Sequence, residues 1–244
     1  MLMPRFINKM LRLSLLPALI WAFLSPLPAQ AQESYQLKPF QASYEINWDG
    51  SISLSGKTVR ELSQQPDNSW LFESKASALL ASITESSAFN WRSNRPEPAK
   101  YIFKRSVLGK KRHVEVQFDW TEHKVTNKVE SQPWSMNITE GVQDKISYQL
   151  LLQKELAEGK KQFTYSVADG GKLKQYRFAV DGTERIDAPI GSYDSIRVKR
   201  IRKEGSQRQT YIWFAPELDF QIIKLQQIEK QDKAYTLLLK KLLL

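Results

Sequence analysis

The stretch "FQASYEINWDG", Phe40 to Gly50, alternates apolar and polar side chains up to its closing Asp-Gly pair. Phe40, Ala42, Tyr44, Ile46 and Trp48 fall on one side of an extended chain, and Gln41, Ser43, Glu45 and Asn47 on the other. That is the period of two expected of a half-buried strand. Asp49-Gly50 is a tight-turn signal, and "SISLSGKTVREL" reads as the strand returning from it. The rhythm then repeats. "WLFESKAS" follows the turn residues "QQPDNS", and "HVEVQFDW" places Val114, Val116, Phe118 and Trp120 on one side. "KVTNKVE", "QFTYSVAD", "KLKQYRFAV", "SIRVKRIRK", "RQTYIWF" and "AYTLLLKKLLL" continue it, punctuated by Asp169-Gly170, Asp181-Gly182 and Glu204-Gly205. About ten to twelve strands are expected from this pattern.

One segment breaks the alternation. In "GVQDKISYQLLLQKELAEGKK", Ile146, Leu150 and Leu151 share a helical face, with Asp144 as a candidate N-cap and Gly159 as a stop. "SALLASI", Ser77 to Ile83, fits a short second helix. With no internal repeat or long linker, the fold expected is mainly β. It is a single domain with one large curved antiparallel sheet, a half-barrel or open barrel, and one main α-helix.

The N-terminus carries an address. Arg5, Lys9 and Arg12 precede the apolar run "LSLLPALIWAFL", and "PLPAQAQ" ends it with Ala29 and Ala31 at A-x-A spacing. These are the three regions of a secretory signal peptide, so residues 1–31 are expected to be cleaved, leaving one β-rich domain over 32–244. About 12 apolar residues fall short of the roughly 20 that span a bilayer, so no transmembrane segment is expected in the mature protein. The chain has no cysteine. That excludes disulfides, thiolate metal sites, a cysteine nucleophile and a lipidated cysteine. A periplasmic protein that is not a lipoprotein is the expectation. The formal charge of +10 includes the three signal-peptide cations, leaving +7 on the mature chain. Outside the inner membrane the polyanions at hand are lipid head groups and acidic glycans rather than nucleic acid.

No catalytic constellation emerges. His113 and His123 stand ten positions apart with no ligand spacing around them. "IGSYDS" around Ser192 lacks the second glycine of a nucleophile elbow, and "DGGK" is too short for a phosphate loop. Carboxylates at Asp119, Glu122, Glu217 and Asp219 could form a glycosidase-like pair only if the fold brought two together. The segment "YIWFAPELDFQIIK" reads instead as a strand, a proline corner with Glu217 and Asp219 facing solvent, and a second strand. No cofactor and no metal are expected. The aromatics on strand faces either fill the core or line a cavity. For the second case the candidate ligand-binding residues are Trp48, Trp120, Tyr211 and Trp213, with Arg200 and Arg202 at the rim. Basic runs at Lys104–Arg112 and Arg197–Arg208 mark protruding hairpin ends, suited either to an anionic lipid or glycan or to keeping strand edges soluble.

An "F-x-A-x-Y" opening strand at Phe40, Ala42 and Tyr44 is followed by "QDKISYQLLL" at Gln143–Leu152. Then come "PIGSYDSIRVKR" and "WFAPELDFQIIKLQQIE". In this order the motifs resemble the bacterial exported family catalogued as domain of unknown function 3108, over Tyr35 to about Leu239. Many relatives carry a proline-valine-arginine core after the corner, where this chain has Ile222, Ile223 and Lys224. The resemblance implies a periplasmic β-rich domain, a half-barrel similar to lipoprotein carriers and envelope lipid chaperones. It carries over no catalytic residue. The expected partners are an envelope lipid or anionic glycan, or an envelope protein added at a sheet edge.

Overall fold

The structure, a computed structural model, describes residues 35–49, 54–128, 133–229 and 233–244; the side chains of Trp48, Asp49 and Leu54 lie outside that description. The expected signal peptide, residues 1–31, and the turn at Gly50 also lie outside it. The described residues form one β-rich unit.

The first half of the chain gives β1 (Phe40–Asp49), β2 (Leu54–Gln64), β3 (Trp70–Ala78), β4 (Ala81–Arg92), β5 (Arg95–Val107), β6 (Lys110–Asp119), β7 (Lys124–Asn127) and β8 (Trp134–Asn137). After α1 (Ser147–Ala157) come β9 (Gln162–Ala168), β10 (Leu173–Ala188), β11 (Gly191–Ile201), β12 (Gln209–Ala215), β13 (Gln221–Ile228) and β14 (Ala234–Leu243). All lie in one sheet, ordered β8-β7-β6-β5-β4-β3-β2-β1-β14-β13-β12-β11-β10-β9, with every neighbouring pair antiparallel. Apart from β1 beside β14, neighbours in space are neighbours in sequence. The strands thus run in chain order around a ring that stays open between β8 and β9. The sheet is an open barrel, as the alternation predicts, and not a closed one.

The lead-in to α1 spans the opening. Gln143 donates its backbone N–H to Ser166 O (2.8 Å) and accepts from Ala168 N–H (2.9 Å), forming a parallel bridge to β9. Its side-chain amide donates to Pro96 O on β5 at 2.9 Å. Asp144 then organises the helix start by accepting the N–H groups of Ile146 and Ser147, each at 2.8 Å, while the Ser147 hydroxyl accepts Asp144 N–H at 3.0 Å. Gly159, at φ +86°, ends the helix as its C-terminal glycine. The helix lies across the strands on the concave face. Asp144 reaches Ser87 of β4, Gln149 reaches Arg60 of β2, and Gln153 reaches Asp219 beyond β12.

The opening alternation holds through Tyr44: Phe40, Ala42 and Tyr44 are buried between Gln41, Ser43 and Glu45, while Ile46 is only half-buried. Two local expectations are corrected. Ser77–Ile83 is no helix but the end of the β3–β4 hairpin. Ladder pairing with β2 and β5 claims its flanks, and Leu79-Leu80 forms the turn. Asp181-Gly182 is no turn either. The residues on both sides are already paired to β11, so Gly182, at φ +135°, sits at a bulge inside one long strand. Among the described residues the structure shows fourteen strands, against the ten to twelve expected.

Candidate functional site

Cross-strand register fixes which side chains share the concave face. One row runs Tyr44, Thr58, Ala76, Ile83, Arg105 and Arg112 across β1 to β6. The row beside it runs Ala42, Arg60, Ser74, Glu85, Phe103 and Val114. On the far wall Val198 pairs with Ile212, and both are buried on this same side. Arg200 and Arg202 extend that face toward the end of β11. Gly56, Ser74, Ala76 and Ala78 are small and only partly buried, so this part of the trough is not filled by protein.

Three arginines converge on the trough with no carboxylate partner among the described residues. Arg60, 7% exposed, donates to Gln149 Oε1 at 2.5 Å, and its guanidinium lies 5.0 Å from the Phe72 ring centre. It also lies against the Tyr44 hydroxyl, and among the described residues the hydroxyl of Thr58, opposite Tyr44 across β1–β2, finds no partner. Arg200 stacks on Tyr176 at 3.6 Å, within an aromatic group in which Tyr148 of α1 meets Tyr165, Tyr176 and Phe178 at 6.0, 5.3 and 5.6 Å. Arg202 donates to Thr210 Oγ1 at 3.0 Å, and its Nε is buried without a partner.

The electrostatics follow from this crowding. Burial pushes the Tyr148 hydroxyl pKa up, with Arg200 and Arg60 opposing the shift and Glu85 adding to it. Burial lowers the Arg202 pKa, and Arg200 and Arg208 add repulsion. The acid that reaches into the trough, Glu85, accepts from Tyr101 Oη at 2.5 Å, and burial followed by Glu85 drives the Tyr101 pKa upward. A concave surface of aromatic walls, small floor residues and unpaired guanidinium groups can hold an anionic group against an apolar body. Among the described residues no cluster of histidine and carboxylate side chains is placed to hold a metal ion. Glu217 and Asp219 are exposed at the corner after β12; Pro216–Leu218 forms a 3-10 turn there, and Asp219 pairs with Lys38 at 3.1 Å.

The six residues expected to form a site are not gathered in one place. Arg200 and Arg202 stand on the concave face. Tyr211 and Trp213 alternate with Ile212 and share the convex side with Lys199 and Arg197. Trp213 is nonetheless buried there: Nε1 donates to Glu184 Oε1 at 2.7 Å and Lys224 covers the ring at 4.4 Å. Trp120 sits at the far end of β6, donating to Pro98 O at 2.7 Å and stacking on Phe118 at 5.9 Å. Trp48 is opposite Tyr235 and Leu54 in register, with its side chain outside the described residues. Sequence reasoning missed Tyr44, Thr58 and Arg60 as a group. The signal was present in "SGKTVREL", where Gly56, Thr58, Arg60 and Leu62 occupy one face, so that an arginine stands in an inward row.

Among solved structures, the beta-barrel-like protein of the DUF1849 family from Brucella abortus is similar over 86% of this chain and 98% of its own. It has 11% identity and a TM-score of 0.60, a likeness of fold alone. A chain from Bacteroides fragilis described as a candidate exported protein with a YmcC-like fold aligns at 12% identity over 85% of this chain and 97% of its own, with a TM-score of 0.30. A candidate lipoprotein from Parabacteroides distasonis aligns at 12% identity over 85% and 96%, with a TM-score of 0.31. Both likenesses are too loose to bear on the site. None of the curated proteins matches the sequence. The sequence profile described as "Protein of unknown function (DUF3108)" matches residues 43–237, well over half of the chain. The chain therefore belongs to the DUF3108 family.

Proposed function

We propose that this protein is a periplasmic binder, not an enzyme, and that it holds an anionic amphiphile of the cell envelope in the concave trough. One observation carries the reading. Among the described residues, Arg60, Arg200 and Arg202 face the trough with no carboxylate partner, Tyr44 lies against Arg60, and the neighbouring Thr58 hydroxyl finds no partner. A buried guanidinium without a counter-ion is costly unless a ligand supplies one. The partly buried Ser74, Ala76 and Ala78 leave room for an apolar body next to the charges. In this reading Arg60 binds the anionic group at depth, Arg200 and Arg202 receive it at the rim, and Trp213 supports the opposite wall from outside.

Native mass spectrometry of protein purified without detergent tests the reading, paired with analysis of an organic extract. A bound anionic lipid or glycolipid is expected, and Arg60→Met and Ala76→Phe are each expected to reduce its occupancy about tenfold. A strictly ligand-free mass from the parent protein with an empty extract overturns it.

A second reading, a scaffold that accepts a partner strand, draws on the open sheet: β8 is an edge strand of four residues, Trp134–Asn137. Co-purification of a defined protein lost on substitution of proline at Ser135 would favour it over the first.

A further inference from the structure

Because the strands run in chain order, the turns after β3 and β5 lie at the same end of the sheet, side by side, since β4 pairs with β5. Leu108 donates its backbone N–H to Leu80 O at 3.0 Å, which ties the two tips together. Their side chains are turned to solvent: Leu79 is 87% exposed, Leu80 64% and Leu108 72%. Three leucines so exposed on adjoining turns form a contiguous apolar prow, a feature that soluble proteins seldom leave without a partner.

The charge around the prow has one sign. From Pro98 to Val114 the chain carries Lys100, Lys104, Arg105, Lys110, Lys111 and Arg112 and no acid, and from Ser74 to Thr84 it carries Lys75 and no acid. Among the described residues, Lys104, Arg105, Lys110, Lys111 and Arg112 form no ion pair. If the lysines only kept strand edges soluble, exposed leucines between them would defeat the purpose. Apolar side chains at a turn, collared by unpaired cations, match the two layers of a bilayer surface: an acyl boundary beneath anionic head groups.

We propose that the paired β3–β4 and β5–β6 tips dock the protein on a bilayer containing anionic phospholipid, with Leu79, Leu80 and Leu108 entering the acyl boundary and Lys110 and Lys111 contacting head-group phosphates. This goes beyond the trough reading and does not depend on it, because the three leucines stand on the turns, beyond the paired rows of the trough. Docking at this end brings Arg105 and Arg112, the trough residues nearest the tips, to the membrane face.

Co-sedimentation of the purified protein with vesicles of phosphatidylcholine, with and without phosphatidylglycerol, tests the docking. Binding is expected only with phosphatidylglycerol, weakened by salt. Leu79→Asp/Leu80→Asp and Lys110→Glu/Lys111→Glu are each expected to lower the partition coefficient about tenfold or more. Their thermal unfolding should match the parent, since the substituted side chains are exposed. Leu108→Trp should shift its emission to the blue on addition of the acidic vesicles. Equal binding to neutral vesicles overturns the proposal, as does unchanged binding by the aspartate variants. So does a prow that proves to bury itself in a second copy, seen as a dimer in sedimentation that the aspartate variants lose. Loss of vesicle binding with retained ligand in the extract separates a failure here from a failure at the trough.

Discussion

At the scale of single residues, Asp144 shows how a buried charge group is made tolerable. Its carboxylate accepts from Ser87 Oγ at 2.5 Å and from two backbone N–H groups at the head of α1. Burial still raises its pKa above the ordinary carboxylate range, because desolvation outweighs those three donors. The sign for stability follows. A raised folded-state pKa contributes stability that is fully present below the unfolded value of about 4 and is lost as pH rises through the folded value. The contribution of Asp144 should therefore fall as pH rises above about 4, seen in unfolding measured between pH 4 and 8 as a pH-dependent difference between the parent and Asp144→Asn, which lacks the titrating carboxyl. The amide retains an acceptor for the backbone N–H groups and gains a donor for Ser87. Asp144→Ala should cost about 2–4 kcal/mol throughout, leaving two helix N–H groups and a buried hydroxyl without partners. Asp144 was legible as a helix cap, since an acid before an apolar helical run is a local signal. Its burial against Ser87, 57 positions earlier, was not, because no local pattern encodes that contact.

Among the elements, β10 departs most from its sequence pattern. Tyr176 and Phe178 are buried on the concave face, and beyond the bulge at Gly182 the strand bends away from β9, which pairs no further than Ala179. The far end of the hairpin reaches β14. Glu184 reaches Trp213, and Ile190 N–H donates to Leu239 O on β14 at 3.2 Å. This lid explains how Trp213 and Phe214, on opposite faces, are both buried. The sequence showed the apolar run of β12 and implied cover on both sides, but the cover comes from a strand bent by one glycine read as a turn. Gly182→Ala, forced into a backbone region nearly reserved for glycine, should cost about 1–3 kcal/mol in chemical denaturation. It should also expose Trp213, seen as a red shift of tryptophan emission. The trough escaped sequence reading for a related reason: its arginines come from β2 and β11, and only the ring of pairings brings those strands to face one helix.

For the whole molecule, the class of fold was readable because alternation is a property of every strand separately, whereas the site is a property of the ring. Aromatic residues drew attention in the sequence, yet Tyr211 and Trp213 serve the outer wall, and the small residues Ala76 and Ala78 matter more to the trough. The ring also has a seam. β1 pairs with β14, joining Tyr44 to Leu239 and Trp48 to Tyr235 across nearly the full described chain, and β14 alone links β1 to β13. Every other pairing is a hairpin between strands consecutive in sequence. The seam is the long-range closure, and its entropy must be met before Leu239, fully buried, returns any stability. A chain emerging N-terminus first can zip its early hairpins but cannot pair its two half-sheets strand to strand until β14 has appeared. Up to that moment the backbone edges of β1 and β13 are both left open, a delay that hairpin formation alone does not remove. A version ending at residue 233 should accordingly lack a cooperative unfolding transition, even though thirteen of its strands are intact in sequence.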